Sequence, residues 1–489
     1  MTETKQTFTA KTQRREGEIA KINFASLRLC GEKYFRSTTH IAPLAVFRVV
    51  FGAMMFASVI RFWLNGWIET QYILPKLFFP FYGFEWIKPL DATGMYLVFA
   101  LMAIAAMFVM LGLFYRFSAI AFFLLFTYIE LIDKSNYLNH YYFVSIVSLL
   151  LILVPANRYF SLDVLRKPSL LVTQIPSWMV DIFKLQLGIV YFFAGIAKLN
   201  YDWLFRAMPL AIWLPAKSNL PLIGELLTYK LTAFIFSWFG ALYDILIPFF
   251  LFNRRTRDVA YFFVIVFHAA TAIILPVIGM FPYIMILATL IFFSAEFHRK
   301  LIQRLVELFS FGKRNLLNHR EDIAFSFSRP LVGKVLIGVL CLHFTFQILI
   351  PFRYLLYPGN LFWTEQGYRF SWRVMLMEKG GTAFFYVKDS ATGKESEVDN
   401  SAYLTYQQQK MMTTQPDMIL QFAHFLAEDY EKKGYVNPKV RVESFVTLNG
   451  SGSMPFINSS VDLTQEQENF ASKNWVLTFQ ETKLTFAER

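Results

Sequence analysis

Residues 178–203 read WMVDIFKLQLGIVYFFAGIAKLNYDW, and this stretch decides the architecture. From Trp178 to Lys198 it is apolar over about the length a helix needs to cross a bilayer's hydrocarbon core. Its few ionisable groups stand apart: Asp181 and Lys184 near one end, Lys198 at the other. Outward from it, comparable apolar blocks run at 41–63, 94–115, 117–132, 141–156, 231–252, 259–275, 278–295 and 333–352. More than half of the 489 residues are hydrophobic (55%) and 55 are phenylalanine, whereas a soluble domain is roughly 45–50% apolar. The expected fold is therefore an α-helical polytopic membrane protein with about nine transmembrane helices.

The net charge of +12 does not mark a nucleic-acid binder, because the basic residues lie between apolar blocks and not on one soluble face. The first forty residues are polar and basic, with no apolar stretch of signal-peptide type, so the N-terminus is expected in the cytoplasm. Counting crossings from there places Arg116, Arg158 to Lys167, Arg254 to Arg257 and Arg299 to Lys334 inside, as the positive-inside rule asks. The C-terminal part then faces outward. Cys30 and Cys341 fall where they cannot meet, and no disulfide is expected. No metal or nucleotide motif stands out.

Residues 65–90 and 201–230 are too apolar to be solvated and too rich in proline and aromatics to span, so they read as interfacial segments roofing the bundle. After about residue 353 the composition changes. The turn Asp389-Ser-Ala-Thr-Gly393-Lys394 sits between short apolar runs, Val440 to Leu448 alternates, and Pro416 opens a helical pattern. The chain thus divides into a cytoplasmic tail (1–40), a transmembrane domain (41–353) and an extracytoplasmic α+β, β-rich domain (354–489).

Ionisable groups inside apolar spans are costly and hence functional candidates. Asp181 and Lys184 suit a local ion pair, His343 a hydrogen bond to a neighbouring helix, and Asp244 and His268 a meeting between consecutive spans. Lys198 is the most informative. It follows Ala194-Gly195-Ile-Ala197, small residues that admit a close neighbour, and loss of hydration there favours the uncharged amine that accepts a proton. Snorkelling to the headgroups is the competing reading.

Gly195-Ile-Ala-Lys198-Leu-Asn-Tyr-Asp202-Trp203, Asp133-Lys-Ser-Asn-Tyr-Leu-Asn139-His140, and Phe267-His268 followed by Ile278-Gly-Met-Phe281 resemble three signature stretches of the vitamin K-dependent gamma-carboxylases. Leu44 to Gly52, Met110 to Arg116, Gly367 to Trp372, Pro416-Asp-Met418 and Phe445 to Asn449 extend the resemblance in order along the chain. The resemblance implies a quinol-dependent carboxylase and epoxidase. Its cofactors are reduced vitamin K, as menaquinol or phylloquinol, with O2 and CO2, and no metal. Its partners are the lipid bilayer, the quinone and a glutamate-containing protein, in a bacterial inner membrane or the endoplasmic reticulum. By motif, Lys198 is similar to the family's quinol-deprotonating lysine, His140 and Asn139 to its pair near the reacting glutamate, and His268 to a pocket histidine. Trp363, Tyr368, Ser371 and Trp372 match the stretch tied to glutamate binding, and are expected to be presented outward as exposed aromatics.

The departures are specific. Where vertebrate members carry basic residues and a histidine before Pro416, this chain has Met411-Met-Thr-Thr-Gln415, with only Lys410 basic nearby. The family's carboxylate clamp is therefore expected to be weakened. The vertebrate disulfide and additional C-terminal tail have no counterpart, so propeptide-guided processive action is not expected. Two rival readings remain: a quinol epoxidase acting on another acceptor, and a lipid-binding or transport protein without catalysis.

The loop charges yield the first testable outcome. A cysteine introduced as Ser401→Cys should label with an impermeant thiol reagent in intact cells, and one introduced as Ser310→Cys should not; the opposite pattern overturns the orientation.

Overall fold

The computed structural model describes residues 37–309 and 322–480. The basic tail with Cys30 and the loop around Ser310 lie outside the described residues. Long apolar runs become helices because only a helix satisfies its own backbone polar groups in hydrocarbon. The bundle helices are α1 (Ala42–Leu64), α2 (Ala92–Leu111), α3 (Tyr115–Ile132), α4 (Asn139–Leu153) and α5 (Trp178–Ala197). After the short α6 (Tyr201–Arg206) and α7 (Leu210–Trp213) come α8 (Lys230–Phe252), α9 (Arg257–Ile274), α10 (Phe281–Ala288), α11 (Ala295–Phe309) and α12 (Pro330–Leu349).

Seven of the described helices are long and apolar enough to cross a membrane, or eight if a bent pair counts as one span. About nine spans are expected from the sequence, and two of the apolar blocks account for the difference. α4 has only 15 residues, about 22 Å at helical rise, and the break after Phe292 bends the chain by 115° into α11. The exposed phenylalanines and leucines of α8, α9 and α12, such as Phe249, Phe262 and Leu342, belong to a surface whose solvent is lipid.

Glycines set the closest crossings. A Cβ on Gly195 would stand 2.5 Å from Ile245 Cγ1 and 2.6 Å from its backbone nitrogen, so α5 meets α8 at backbone contact there. Gly52 in α1 does the same against Met110 of α2. Between helices, polar groups act as ties: His343 hydrogen-bonds Gln186 (2.9 Å), and Gln186 donates to Gln347 (3.1 Å). Lys184 and Asp181 form the local pair read from the sequence (2.9 Å).

A small antiparallel pair, β1 (Thr38–His40) with β2 (Gln174–Pro176), closes the end of the bundle near the chain's first described residues. The C-terminal sheet has the order β4-β3-β5-β6, with β3 Lys379–Lys388, β4 Glu395–Glu397, β5 Lys439–Leu448 and β6 Met454–Pro455. Gly393, at φ 73°, completes the β3–β4 hairpin where a Cβ would be strained. Alternation in β3 and β5 turns Phe385, Val387, Val440 and Val442 onto α13 (Pro416–Lys432). There the edge of Phe385 meets Phe422 at 4.8 Å.

The segment 65–90 lies between bundle and C-terminal domain. Gln408 donates to Leu77 O (2.6 Å) and to the Asp133 carboxylate (2.8 Å), while Gln421 donates to Pro80 O (3.1 Å). The roof expected over 201–230 is built from α6, α7 and short 3-10 turns. The α6 residue Trp203 donates to Ser237 O of α8 (2.8 Å).

Overpacking a backbone contact typically costs about 1–3 kcal/mol. Gly195→Ala should therefore lower the thermal unfolding midpoint of the detergent-solubilised protein, while Gly338→Ala, where an added Cβ meets nothing within 4 Å, should leave it unchanged. Equal midpoints for both variants would show that the α5–α8 contact is not tight.

Candidate active site

Lys198 stands at the C-terminal cap of α5 (φ −80°, ψ −11°), so its side chain starts at the rim of the bundle and turns back into it. Nζ donates to the Asp244 carboxylate at 2.6 Å and to Ala194 O at 3.3 Å, and lies 5.4 Å from the centroid of the Trp203 ring. Lys198 and Asp244 are only 6% and 5% exposed, which rules out snorkelling. The pair exists because Gly195 lets α8 approach: Asp244 precedes Ile245, the residue pressed against that glycine. Asp244 thus pairs with Lys198, not with His268.

The pair lines a cavity of about 350 Å³ whose other walls are almost wholly apolar, among them Val190 and Ala194 of α5, Phe236 and Gly240 of α8, and Leu210 and Trp213 of the roof. His268 of α9 faces the same space. Its Nε2 is 3.0 Å from the Tyr191 hydroxyl, and its Nδ1 is buried without a hydrogen-bond partner. The Tyr243 ring stacks on Phe267 (4.1 Å), and Phe281 meets the His268 ring at 5.7 Å.

His140 does not line this cavity. It is buried, with its ring centroid 6.1 Å from that of Phe281. One phenyl ring therefore touches both histidines. Asn139 is a tether: it donates to Arg373 O (2.8 Å) and accepts from the Tyr137 hydroxyl (3.1 Å), which in turn accepts from Phe370 N (2.8 Å). This chain of bonds holds residues 370–373 against the bundle.

The expected exposed aromatics are inside. Trp363 donates from Nε1 to Leu477 O (2.7 Å) and packs on Phe456 in the core of the C-terminal domain. Trp372 stacks on Tyr142 of α4 (4.9 Å). Tyr368 is half-buried beside Phe362, and the Ser371 hydroxyl is bonded to Gly367 O (2.8 Å). None of the four lines the cavity; the next residues, Val374 and Met375, do.

Charges from three of the resembling stretches meet one another. Asp417 accepts from Arg369 (2.7 Å) and Lys134 (2.9 Å), and Lys134 also reaches Glu468 (3.1 Å). Burial alone would raise the Asp417 carboxyl, but Arg369 and Lys134 hold it well below the usual carboxylate range. Burial does push the Asp133 carboxyl up, against hydrogen bonds from Gln408 and Ser135. Lys134 appeared in the sequence only as part of a loop group beside His140; its partners lie hundreds of residues away. Among the described residues no cluster of three or more His, Cys, Asp or Glu side chains is placed to hold a metal ion.

Two family comparisons cover most of the chain. Residues 35–297 match the HTTM domain, more than half the chain, and residues 332–482 match the vitamin K-dependent gamma-carboxylase lumenal domain. No solved structure matches.

Removing one member of a buried ion pair strands the other charge, at roughly 3–5 kcal/mol, whereas replacing both with apolar groups is often close to neutral. Asp244→Leu should therefore destabilise the protein strongly, and the double variant Lys198→Met, Asp244→Leu should recover most of that loss in a denaturation midpoint. A double variant as unstable as the summed single losses would mean that the two groups are not coupled.

Proposed function

The chain belongs to the vitamin K-dependent gamma-carboxylase family, and from that premise we propose that it is a membrane enzyme that oxygenates a reduced naphthoquinone to its epoxide with O2. It couples that oxidation to the carboxylation of a glutamate side chain by CO2. The observation that carries the reading is the Lys198–Asp244 pair, buried at the wall of an otherwise apolar cavity.

The residues suit a quinol. A flat apolar ring system matches walls of Val190, Ala194, Phe236 and Gly240, and the unpartnered His268 Nδ1 is a ready hydrogen-bonding site for a ring oxygen. Bound there, the reduced quinone supplies the reducing electrons and, after oxygenation, a base strong enough to take a glutamate γ-proton. The protein's own task is narrower. Lys198 accepts the hydroxyl proton, and it does so when the shared proton of the pair rests on Asp244, leaving a neutral amine beside a neutral carboxyl. Asp244 is thus the positioning residue and proton partner that an isolated lysine in an apolar pocket would lack. Tyr191 fixes the orientation of the His268 ring, and the apolar walls keep out water that would quench a strong base.

His140, whose ring neighbours Phe281 as His268's does, is assigned to the acceptor's side of the reaction in this reading. The cations near that side, Lys134 and Arg369, are already engaged by Asp417 and Glu468. This favours weak binding of free glutamate peptides and keeps open the reading of a quinol epoxidase with another acceptor.

Purified protein given menaquinol and O2 should form the quinone epoxide. Lys198→Ala should reduce that rate by roughly a hundredfold or more, the usual scale of a lost acid–base group. His140→Ala should keep epoxide formation while losing incorporation of labelled CO2 into a glutamate peptide. Full epoxidase activity in Lys198→Ala would refute the assignment.

A further inference from the structure

Residues 371–375 separate two cavities. Val374 and Met375 face the Lys198 cavity, whereas Ser371 and Arg373 face a second one, of about 420 Å³. The lining of this second space is mixed. Its apolar members are Phe193, Ile196 and Leu199 at the end of α5, with Phe352 and Leu355 following α12. Leu199 is 52% exposed and Leu355 67%, so the apolar lining runs out onto the surface. Its polar members include Asn200, Asn360, Tyr354, Ser371 and Arg373.

Arg373 is the unusual member. It is only 8% exposed, yet among the described residues it has no carboxylate partner and donates to no backbone carbonyl, and its Nε is buried without any hydrogen-bond partner. Its guanidinium lies 4.4 Å from the Tyr354 ring centroid. Burial acts against its charge, and the side chain that hydrogen-bonds it is the Tyr354 phenol, not a carboxylate. Arg48 and Arg353 also leave Nε unpartnered, but their guanidiniums reach backbone carbonyls, as Arg373 does not among the described residues. Arg48 donates to Ala156 O (3.0 Å) and Phe160 O (2.5 Å), and Arg369 is held by Asp417. A guanidinium cannot shed its charge at ordinary pH, so its burial calls for a counter-anion.

We propose that this cavity binds the phosphate of an anionic phospholipid from the leaflet beside the C-terminal domain, with Arg373 as the anion-binding group. The planar fork of arginine suits a phosphate's paired oxygens, the Asn360 amide, whose oxygen alone is used in capping the next helix, adds a donor, and the apolar lining receives the acyl chains. Free phosphate offers the same oxygens but has no use for that lining. Because residues 371–375 also wall the Lys198 cavity, an occupant here braces the reaction pocket from behind, with Asn139 gripping the same segment at Arg373 O.

The test uses the full-length protein in detergent, titrated with phosphatidylglycerol, with phosphatidylcholine of the same acyl chains, or with inorganic phosphate. Ligand binding to the folded state raises the unfolding midpoint. Phosphatidylglycerol should raise it by a few degrees and the other two by less than one, with the increment lost in Arg373→Met and partly kept in Arg373→Lys. In native mass spectrometry of the wild-type protein, equimolar mixed lipids should leave phosphatidylglycerol retained several-fold over phosphatidylcholine, a reading that does not depend on the Met variant folding. Equal responses to the two lipids, no retention preference, or an undiminished increment in Arg373→Met would overturn the site. A full increment from inorganic phosphate alone would overturn the lipid as its source.

Discussion

A single charged contact, Lys198 Nζ to the Asp244 carboxylate at 2.6 Å, constrains much of the rest of the molecule. Either group alone in this apolar setting would be heavily penalised. Together they are tolerable only if two helices meet closely enough to bring them into contact, which requires Gly195 at the α5–α8 crossing. The roof follows from the same requirement. Trp203 caps the pair and is itself tied to α8 by paired contacts with Ser237. In the proposed reaction the base is therefore positioned by backbone packing, not by a flexible loop, which is the arrangement that keeps acid–base geometry precise.

The pair also alters how the lysine works. A lone desolvated amine would be a base because solvent had been removed from it. An amine in contact with a carboxylate is a base only to the extent that the proton moves within the pair, so the carboxylate governs the lysine's availability. The two schemes share a residue but differ in where the proton is held.

Much of this was legible in sequence where the determinant is local. Helix length, the hairpin turn at Gly393, proline at the start of α13 and the small residues before Lys198 all act through their neighbours in the chain. What was not legible depends on rotation and on distant partners. Which face of α8 Asp244 occupies is set by the α5 contact, so its pairing with Lys198 in place of His268 could not be read from spacing. Trp363 and Trp372 look alike to composition whether they line a binding surface or fill a core; β5, α4 and Leu477 decide it by covering them. α4 falls short of a span because its helix stops at Leu153, just before Pro155, although the apolar run continues to Ala156.

The C-terminal domain and the bundle are joined in the same manner as the reacting pair, by charges far apart in sequence. Lys134 leaves the end of α3 fully buried, and its two carboxylates come from α13 and from Glu468. Arg369 shares Asp417 from a third direction. Residues 370–375, which run from this cluster to the edge of the Lys198 cavity, are therefore held at one end by ion pairs and in the middle by Asn139. A segment fixed in that way transmits the seating of the C-terminal domain directly to the wall of the Lys198 cavity. Such a link needs no moving lid: the domain shapes the cavity by where it sits, and Lys134, Arg369, Asp417 and Glu468 seat it.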